Sequence, residues 1–124
     1  MQLSKGEEQI MEYLWQLEQA YLKDLIEAFP DPGKPKATTV ATLLKRMQDK
    51  GAVAYHTHGN SRAYYPLISK NDYFSHQVKG MINNFFGGST TQFASFFTSA
   101  TEMSKEELED LRRMVDQEIK KKKP

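Results

Sequence analysis

Apolar residues recur at helical spacing in three stretches of the first 50 residues. A Ser4–Glu7 pair with the spacing of a capping box precedes the first stretch and marks the start of a helix. The third stretch predicts a helix that begins near Lys36 or Ala37 and runs to Lys50. The apolar positions of the three stretches are Ile10, Met11, Leu14, Trp15 and Leu17; Leu22, Leu25, Ile26 and Phe29; and Val40, Leu43, Leu44 and Met47.

The period of the pattern changes from helical to alternating after the third stretch. Residues 52–58 and 61–67 are rich in Val, Thr and Tyr and predict two β-strands. Gly59-Asn60 between them is typical of a tight two-residue hairpin turn. Three helices followed by a two-stranded hairpin have the order of a winged helix-turn-helix, which we expect over residues 1–68.

The remaining residues, 69–124, contain three further helical stripes. Gly87-Gly88 separates the first stripe from the second, and Ser104 with Glu107 forms another capping-box pattern before the third. The whole chain therefore predicts a mainly α fold with a small β-hairpin. Its N-terminal part is a winged helix-turn-helix and its C-terminal part is a helical dimerisation region.

The C-terminal region is unusually rich in phenylalanine. Six of the seven phenylalanines lie between Phe74 and Phe97. Three short helices cannot easily bury that many rings alone, whereas pairing with a second copy would cover them, so we expect a two-fold homodimer. The alternative is that this region folds back on its own winged helix. The expected interface residues are the apolar positions Phe74, Met81, Ile82, Phe85, Phe93, Phe96, Phe97, Leu108, Leu111 and Val115.

The composition is that of a folded globular chain, with 124 residues, 39% hydrophobic and 27% charged. Cysteine is absent, which excludes disulfides, thiolate metal sites and thiol nucleophiles. The chain has no run of about 18 apolar residues and no N-terminal signal pattern. We therefore expect a cytoplasmic protein that does not insert into a membrane.

The net charge of +1 hides an asymmetry between two segments. Residues 1–33 carry two cations and seven anions, whereas residues 34–68 carry six cations and one anion. A basic segment of this kind indicates a polyanionic partner.

The outward face of the predicted third helix carries hydroxyl groups and cations. When its apolar stripe faces the core, Thr38, Thr42 and Lys45 lie on the opposite side, flanked by Thr39 and Arg46. Arg and Lys pair with guanine edges or phosphates, and Thr can donate a hydrogen bond or touch a thymine methyl group. The alternative is the solvated face of an ordinary core helix. The charge asymmetry and the hairpin favour a DNA-reading helix, and the residues expected at double-stranded DNA are Lys36, Thr38, Thr39, Thr42, Lys45, Arg46 and, on the hairpin, Arg62.

The sequence lacks a pattern of catalytic or metal-binding residues. It contains no Ser/His/Asp arrangement with supporting motifs and no glycine-rich phosphate loop. His56 and His58 alternate onto one strand face, but no cysteine or carboxylate near them completes a tetrahedral metal site. We therefore expect no enzymatic activity, no metal and no cofactor.

Four segments, in this order, resemble the penicillinase-repressor (BlaI/MecI/CopY) family of bacterial winged-helix repressors. They are LSKGEEQIMEYLW near the start, TTVATLLKRMQDKGAV across the third helix, RAYYPLIS at the end of the hairpin and MSKEELEDLRRMV in the last helix. The resemblance extends over nearly the whole chain. It implies a homodimer that binds an operator and blocks transcription, often of genes for β-lactam resistance.

The resemblance also has implications for single residues. Thr39, Thr42 and Arg46 fall on the family's matching Thr, Thr and Arg positions, which implies operator contact at all three. In the family, a membrane sensor-protease or a protease downstream of it typically triggers cleavage in the C-terminal part and so releases the DNA.

Two features depart from the family pattern. The copper-sensing branch uses cysteines, which are absent here, so copper sensing is not expected. Phe96-Phe97 aligns with the Asn-Phe pair that is cleaved in the penicillinase branch, and this argues against induction by cleavage at that position. The inducing signal then enters through another protein or a ligand.

The sequence therefore predicts a cytoplasmic, homodimeric, sequence-specific repressor that occludes a promoter at an inverted-repeat operator. The alternative from another class is a winged-helix protein-interaction module whose basic face docks an acidic protein. The threonine-rich face favours DNA, because an acidic protein needs only Lys and Arg whereas base edges also reward hydroxyl groups.

Overall fold

The computed structural model describes residues 1–122, over which it has six helices and one β-hairpin. The last two residues of the predicted 69–124 region lie outside the described residues. The mainly α fold and the winged-helix order are confirmed. The elements in chain order are α1 Lys5–Leu17, α2 Leu22–Ala28, α3 Ala37–Asp49, β1 Val53–His58, β2 Ser61–Pro66, α4 Lys70–Phe85, α5 Thr90–Ala100 and α6 Lys105–Lys121.

The chain forms two compact units, the first comprising Met1–His76 and the second beginning at Gln77. The core of the first unit is formed by one face of each of its first three helices. Burial of each large apolar side chain there contributes roughly 1.5–3 kcal/mol. The fully buried side chains include Ile10, Met11, Leu14, Leu25, Val40, Leu44 and Met47.

The start of α1 has the predicted capping box. The Glu7 N–H donates to the Ser4 hydroxyl oxygen at 3.2 Å, and the Ser4 N–H donates to Oε1 of Glu7 at 2.7 Å. These bonds satisfy two backbone donors that the helix itself cannot pair.

The hairpin has the predicted antiparallel pairing, with Val53 opposite Pro66 and His58 opposite Ser61. Gly59 begins the two-residue turn with φ of 62°, a left-handed conformation that glycine adopts without steric cost. The base of the hairpin is buried, whereas the residues from 56 to 62 are exposed. The tip is therefore free to meet a ligand.

A backbone bridge joins the α1–α2 connection to the hairpin. The Ala20 N–H donates to the Tyr64 carbonyl at 2.9 Å, and the Tyr64 N–H donates to the Ala20 carbonyl at 2.8 Å. The sequence indicated only a break between helices here, because a single bridging residue leaves no alternating pattern. The bridge places the start of α2 beside the hairpin.

The first turn of α4 packs on α1 and belongs to the first unit. Tyr73 is buried and its hydroxyl donates to Oε2 of Glu8 at 2.5 Å, while the Trp15 indole N–H donates to the Ile68 carbonyl at 2.9 Å. Burial, together with the bond to Glu8, raises the pKa of Tyr73 to about 12. The Tyr73 hydroxyl is therefore protonated, and a hydrogen-bond donor, at neutral pH.

The second unit contains the rest of α4 together with α5 and α6. Gly87 and Gly88, with φ of 58° and 79°, turn the chain between α4 and α5 as the sequence predicted. The rings of Phe86 and Phe93 meet edge to face with centroids 5.5 Å apart. No residue from 77 to 122 is buried, so this unit has no enclosed core within one copy of the chain.

Within residues 1–122, no helix is both long and apolar enough to cross a lipid bilayer.

Candidate nucleic-acid interface

Helix α3 divides its residues between the core and the solvent as the sequence predicted. Its apolar stripe is buried, and Leu43 packs partly buried against the same core. A shallow depression on its other side is lined by three threonines, Leu43 and Arg46. The structure thus brings Thr38, Thr39, Thr42 and Arg46 together on one exposed surface, whereas Lys45 is exposed on the same helix but does not line this depression.

Three of the six cations in residues 34–68 are already held by carboxylates. The side chains of Lys45 and Asp49, which pair on α3, are both well exposed, and such pairs contribute only about 0.3–0.5 kcal/mol to stability. Lys45 can therefore leave Asp49 and turn to a phosphate at little cost. The N–O distances are 3.7 Å for Lys34–Glu27, 3.1 Å for Lys45–Asp49 and 2.6 Å for Lys50–Glu7.

The other three cations, Lys36, Arg46 and Arg62, have no carboxylate partner in the part of the chain that the structure describes. Lys36 is the N-cap residue of α3, and Arg46 lies on the last turn of the same helix. All three side chains are exposed. Unneutralised positive charge is therefore available along the outer face of α3 and on the hairpin.

The Thr42 hydroxyl is partly used within the helix. Its O–H donates a hydrogen bond to the Thr38 carbonyl oxygen at 2.9 Å. A ligand can therefore meet the methyl group and the oxygen lone pairs of Thr42, while the hydroxyl proton is engaged.

Arg62 is held on the hairpin by two tyrosines. Its guanidinium carbon lies 4.4 Å from the centroid of the Tyr55 ring, on the neighbouring strand. A hydrogen bond with the Tyr64 side chain, followed by the negative charge that Tyr55 carries when it is ionised, raises the pKa of Arg62 above its ordinary value. The rings thus orient a permanent cation at an exposed position of the hairpin.

The two histidines of the hairpin are in contact with aromatic rings. His56 stacks on Tyr65 with centroids 4.6 Å apart, and His58 meets the edge of Tyr21 at 6.3 Å. Within residues 1–122, no group of His, Cys, Asp and Glu side chains is arranged to hold a metal ion.

A comparison with known proteins decides the family. The sequence profile described as "Penicillinase repressor" matches residues 3–117 of this chain. The chain belongs to the penicillinase repressor family. The resemblance seen in the sequence is therefore confirmed, and the family is one of DNA-binding transcriptional repressors and not of enzymes.

Individual members of the family are similar over almost their full length. The penicillinase repressor of Bacillus licheniformis is 25% identical over 122 residues, which cover 98% of this chain and 95% of that protein. The methicillin resistance regulatory protein MecI of Staphylococcus aureus strain N315 is 24% identical over 115 residues, covering 93% and 94% of the two chains. The solution structure of the DNA-binding domain of the repressor BlaI is similar with a TM-score of 0.51 and 28% identity, covering 58% of this chain and 88% of that domain.

In this family member, the sequence pattern did not predict a buried ion pair at the end of α3. Glu7 is 1% exposed, and its Oε1 accepts from Nζ of Lys50, the C-cap residue of α3. Burial alone would raise the pKa of Glu7, but the hydrogen bonds from Lys50 and Ser4 outweigh it and lower that pKa. A signal was present, because Glu7 has helical spacing with the apolar positions Ile10, Met11 and Leu14 and so lies on the buried face.

The residues expected at the repressor's dimer interface lie in the second unit, apart from Phe74. That ring belongs to the first unit, where it contacts Trp15 and Tyr73 with centroids 5.9 and 5.0 Å apart. In the second unit, Met81, Phe85, Phe96, Phe97, Leu108 and Val115 are exposed, and Ile82, Phe93 and Leu111 are half-buried.

Proposed function

We propose that two copies of this repressor bind an inverted-repeat operator in double-stranded DNA and occlude a promoter. In this proposal α3 of each copy lies in the major groove, and the hairpin arginine contacts a phosphate or the minor groove. The residues that we propose at the DNA are Lys36, Thr38, Thr39, Thr42, Lys45, Arg46 and Arg62.

The outward face of α3 is the observation that supports the proposal most directly. Its N-terminal turns carry Thr38, Thr39 and Thr42, whose short side chains allow the helix to approach base edges closely. Arg46 is exposed on the same face, and no carboxylate among the described residues neutralises it. A planar guanidinium free of an internal partner can donate two hydrogen bonds to a guanine.

The second unit supports pairing of two copies. Its exposed apolar side chains include Phe85 at 79%, Phe96 at 57% and Ile119 at 59% of their full exposure. Exposed apolar side chains in such number are unfavourable in water and are typical of a protein interface. We propose that a second copy covers this surface and that the two-fold symmetry requires the inverted repeat.

The regulated gene and the inducing partner are further parts of the proposal. The names of the relatives refer to penicillinase and to methicillin resistance, so we propose a β-lactam-resistance promoter as the target. Because the family resemblance implies a membrane sensor-protease, we propose such a protein as the upstream partner. Phe96-Phe97 lies in α5 and aligns with the Asn-Phe pair that is cleaved in the penicillinase branch. We therefore propose that release of the repressor from DNA does not depend on cleavage at this position. Because the target is genomic DNA, we propose that the repressor acts in the cytoplasm.

A selection experiment tests the proposal. The full chain would be used to select duplexes from a random pool, and its affinity for the selected duplex would be compared with that for random DNA at 50 and 200 mM salt. We expect an enriched inverted repeat that remains preferred at the higher salt concentration. Loss of all preference at the higher salt would contradict the proposal and favour docking of an acidic protein.

A further inference from the structure

A second polar cleft lies beside the hairpin, next to the start of α2. Its lining includes no acidic residue. Several hydrogen-bond donors line it, namely Tyr21, Lys23, His58, Asn60, Ser61 and Arg62.

The two walls of this cleft are held together by the backbone. The paired hydrogen bonds between Ala20 and Tyr64 connect the chain before α2 to strand β2. The Tyr21 N–H donates to Oδ2 of Asp24 at 2.9 Å, which anchors the next residue at the start of α2. The cleft is therefore formed before a ligand arrives, and its donors need little reordering to bind one.

The lining of the cleft includes two cations, Lys23 and Arg62. Lys23 is exposed, and neither Lys23 nor Arg62 has a carboxylate partner within residues 1–122. Lys, Arg, hydroxyl and amide donors together are the groups that proteins use to hold phosphate oxygens.

We infer that this cleft binds the phosphodiester backbone of the DNA that α3 reads, an inference that rests on the proposed function. Arg62 belongs to both surfaces, because it lines the cleft and is also the hairpin residue proposed at the DNA. A duplex that contacts Arg62 therefore brings its backbone to Lys23 and Tyr21. The contact adds affinity and fixes the orientation of the repressor on the duplex without reading the base sequence.

The salt dependence of binding tests this inference. The full chain, K23Q and the control K105Q, which changes an exposed lysine at the start of α6, would be titrated with the selected duplex between 50 and 200 mM salt. Loss of one phosphate contact lowers the slope of log affinity against log salt by about 0.9. K23Q removes one contact from each copy of the dimer, so the slope should fall by about 1.8, and K23Q should lose about 12-fold less affinity than the parent over this range. K105Q should match the parent, and K23Q should keep the parent's base preference.

A scan with neutral methylphosphonate linkages locates the contact. We expect one linkage in each half-site at which neutralisation weakens binding of the parent but not of K23Q. A parental salt slope in K23Q, with equal sensitivity at every linkage, would overturn the inference. In that case a loss of base preference in R46Q would leave the proposed function standing, whereas failure to select any preferred duplex would overturn the proposed function itself.

Discussion

Nζ of Lys50 lies 2.6 Å from Oε1 of Glu7, although 43 residues separate the two along the chain. Lys50 is the C-cap residue of α3, and Glu7 lies on the buried side of α1. The pair therefore fixes one end of α3 to the core, while the outer face of the same helix stays exposed. A displacement of this end would move Arg46, four residues earlier on α3.

The substitution K50M should destabilise the first unit strongly. It leaves the buried Glu7 carboxylate without its cation, which costs about 2–4 kcal/mol of unfolding free energy. The matched control K45M breaks a well-exposed pair on the same helix and should cost at most about 0.5 kcal/mol. Denaturant unfolding followed by the fluorescence of Trp15, the single tryptophan, measures both values.

The penalty of K50M should also depend on pH. The folded-state pKa of Glu7 is lowered, so the pair stabilises the fold fully above the unfolded pKa of about 4.3 and loses this contribution as the pH falls through the folded value. The difference between K50M and the parent should therefore shrink in acid. If K50M lost the same unfolding free energy relative to the parent at pH 7 and at pH 3, the Glu7–Lys50 ion pair would not be the source of the loss.

Thr42 should contact DNA through its methyl group, because its hydroxyl proton is engaged by the Thr38 carbonyl. T42V keeps a methyl group at that position and should bind the selected duplex within about 3-fold of the parent. T42S deletes the methyl from both copies and should bind about 15-fold more weakly, the cost of two buried methyl groups. Fluorescence anisotropy with the selected duplex measures both affinities. A larger loss in T42V than in T42S would show that the hydroxyl makes the contact.

Phe85 should be part of the dimer interface, since its ring is 79% exposed in a single copy. F85S removes two rings from a symmetric dimer, each contributing at least about 1.5 kcal/mol, and should raise the dissociation constant of the dimer by about 100-fold or more. Sedimentation equilibrium should show a shift toward monomer for F85S and none for K105Q. An unchanged dimer would remove Phe85 from the interface, and a monomeric parent chain would contradict the dimer itself.

The elements of the fold could be predicted because their signals are local. The Ser4–Glu7 box, the apolar stripes and Gly59-Asn60 each act within a few residues, and the structure has a helix start or a hairpin turn at each predicted place. The outer face of α3 could be predicted for the same reason, since the position of the buried stripe determines the opposite side of the helix.

Features that depend on distant contacts could not be predicted in this way. Tyr73 and Phe74 are adjacent aromatic residues near the start of α4, and only the positions of Glu8 and Trp15 decide that Tyr73 is the buried one. The partners of the basic residues are likewise set by the tertiary fold. The charge count of residues 34–68 therefore could not show that Lys50 is engaged while Arg46 is unpaired.

The effect of R46Q on operator binding tests the central claim that the outer face of α3 reads DNA in both halves of the assembly. Binding of the full chain and of R46Q would be measured on the selected duplex and on its single-base variants. We expect R46Q to bind the selected duplex more weakly by about 1–3 kcal/mol for each half-site and to lose the preference at one base pair in each half-site. Parental affinity and preference in R46Q would contradict the claim.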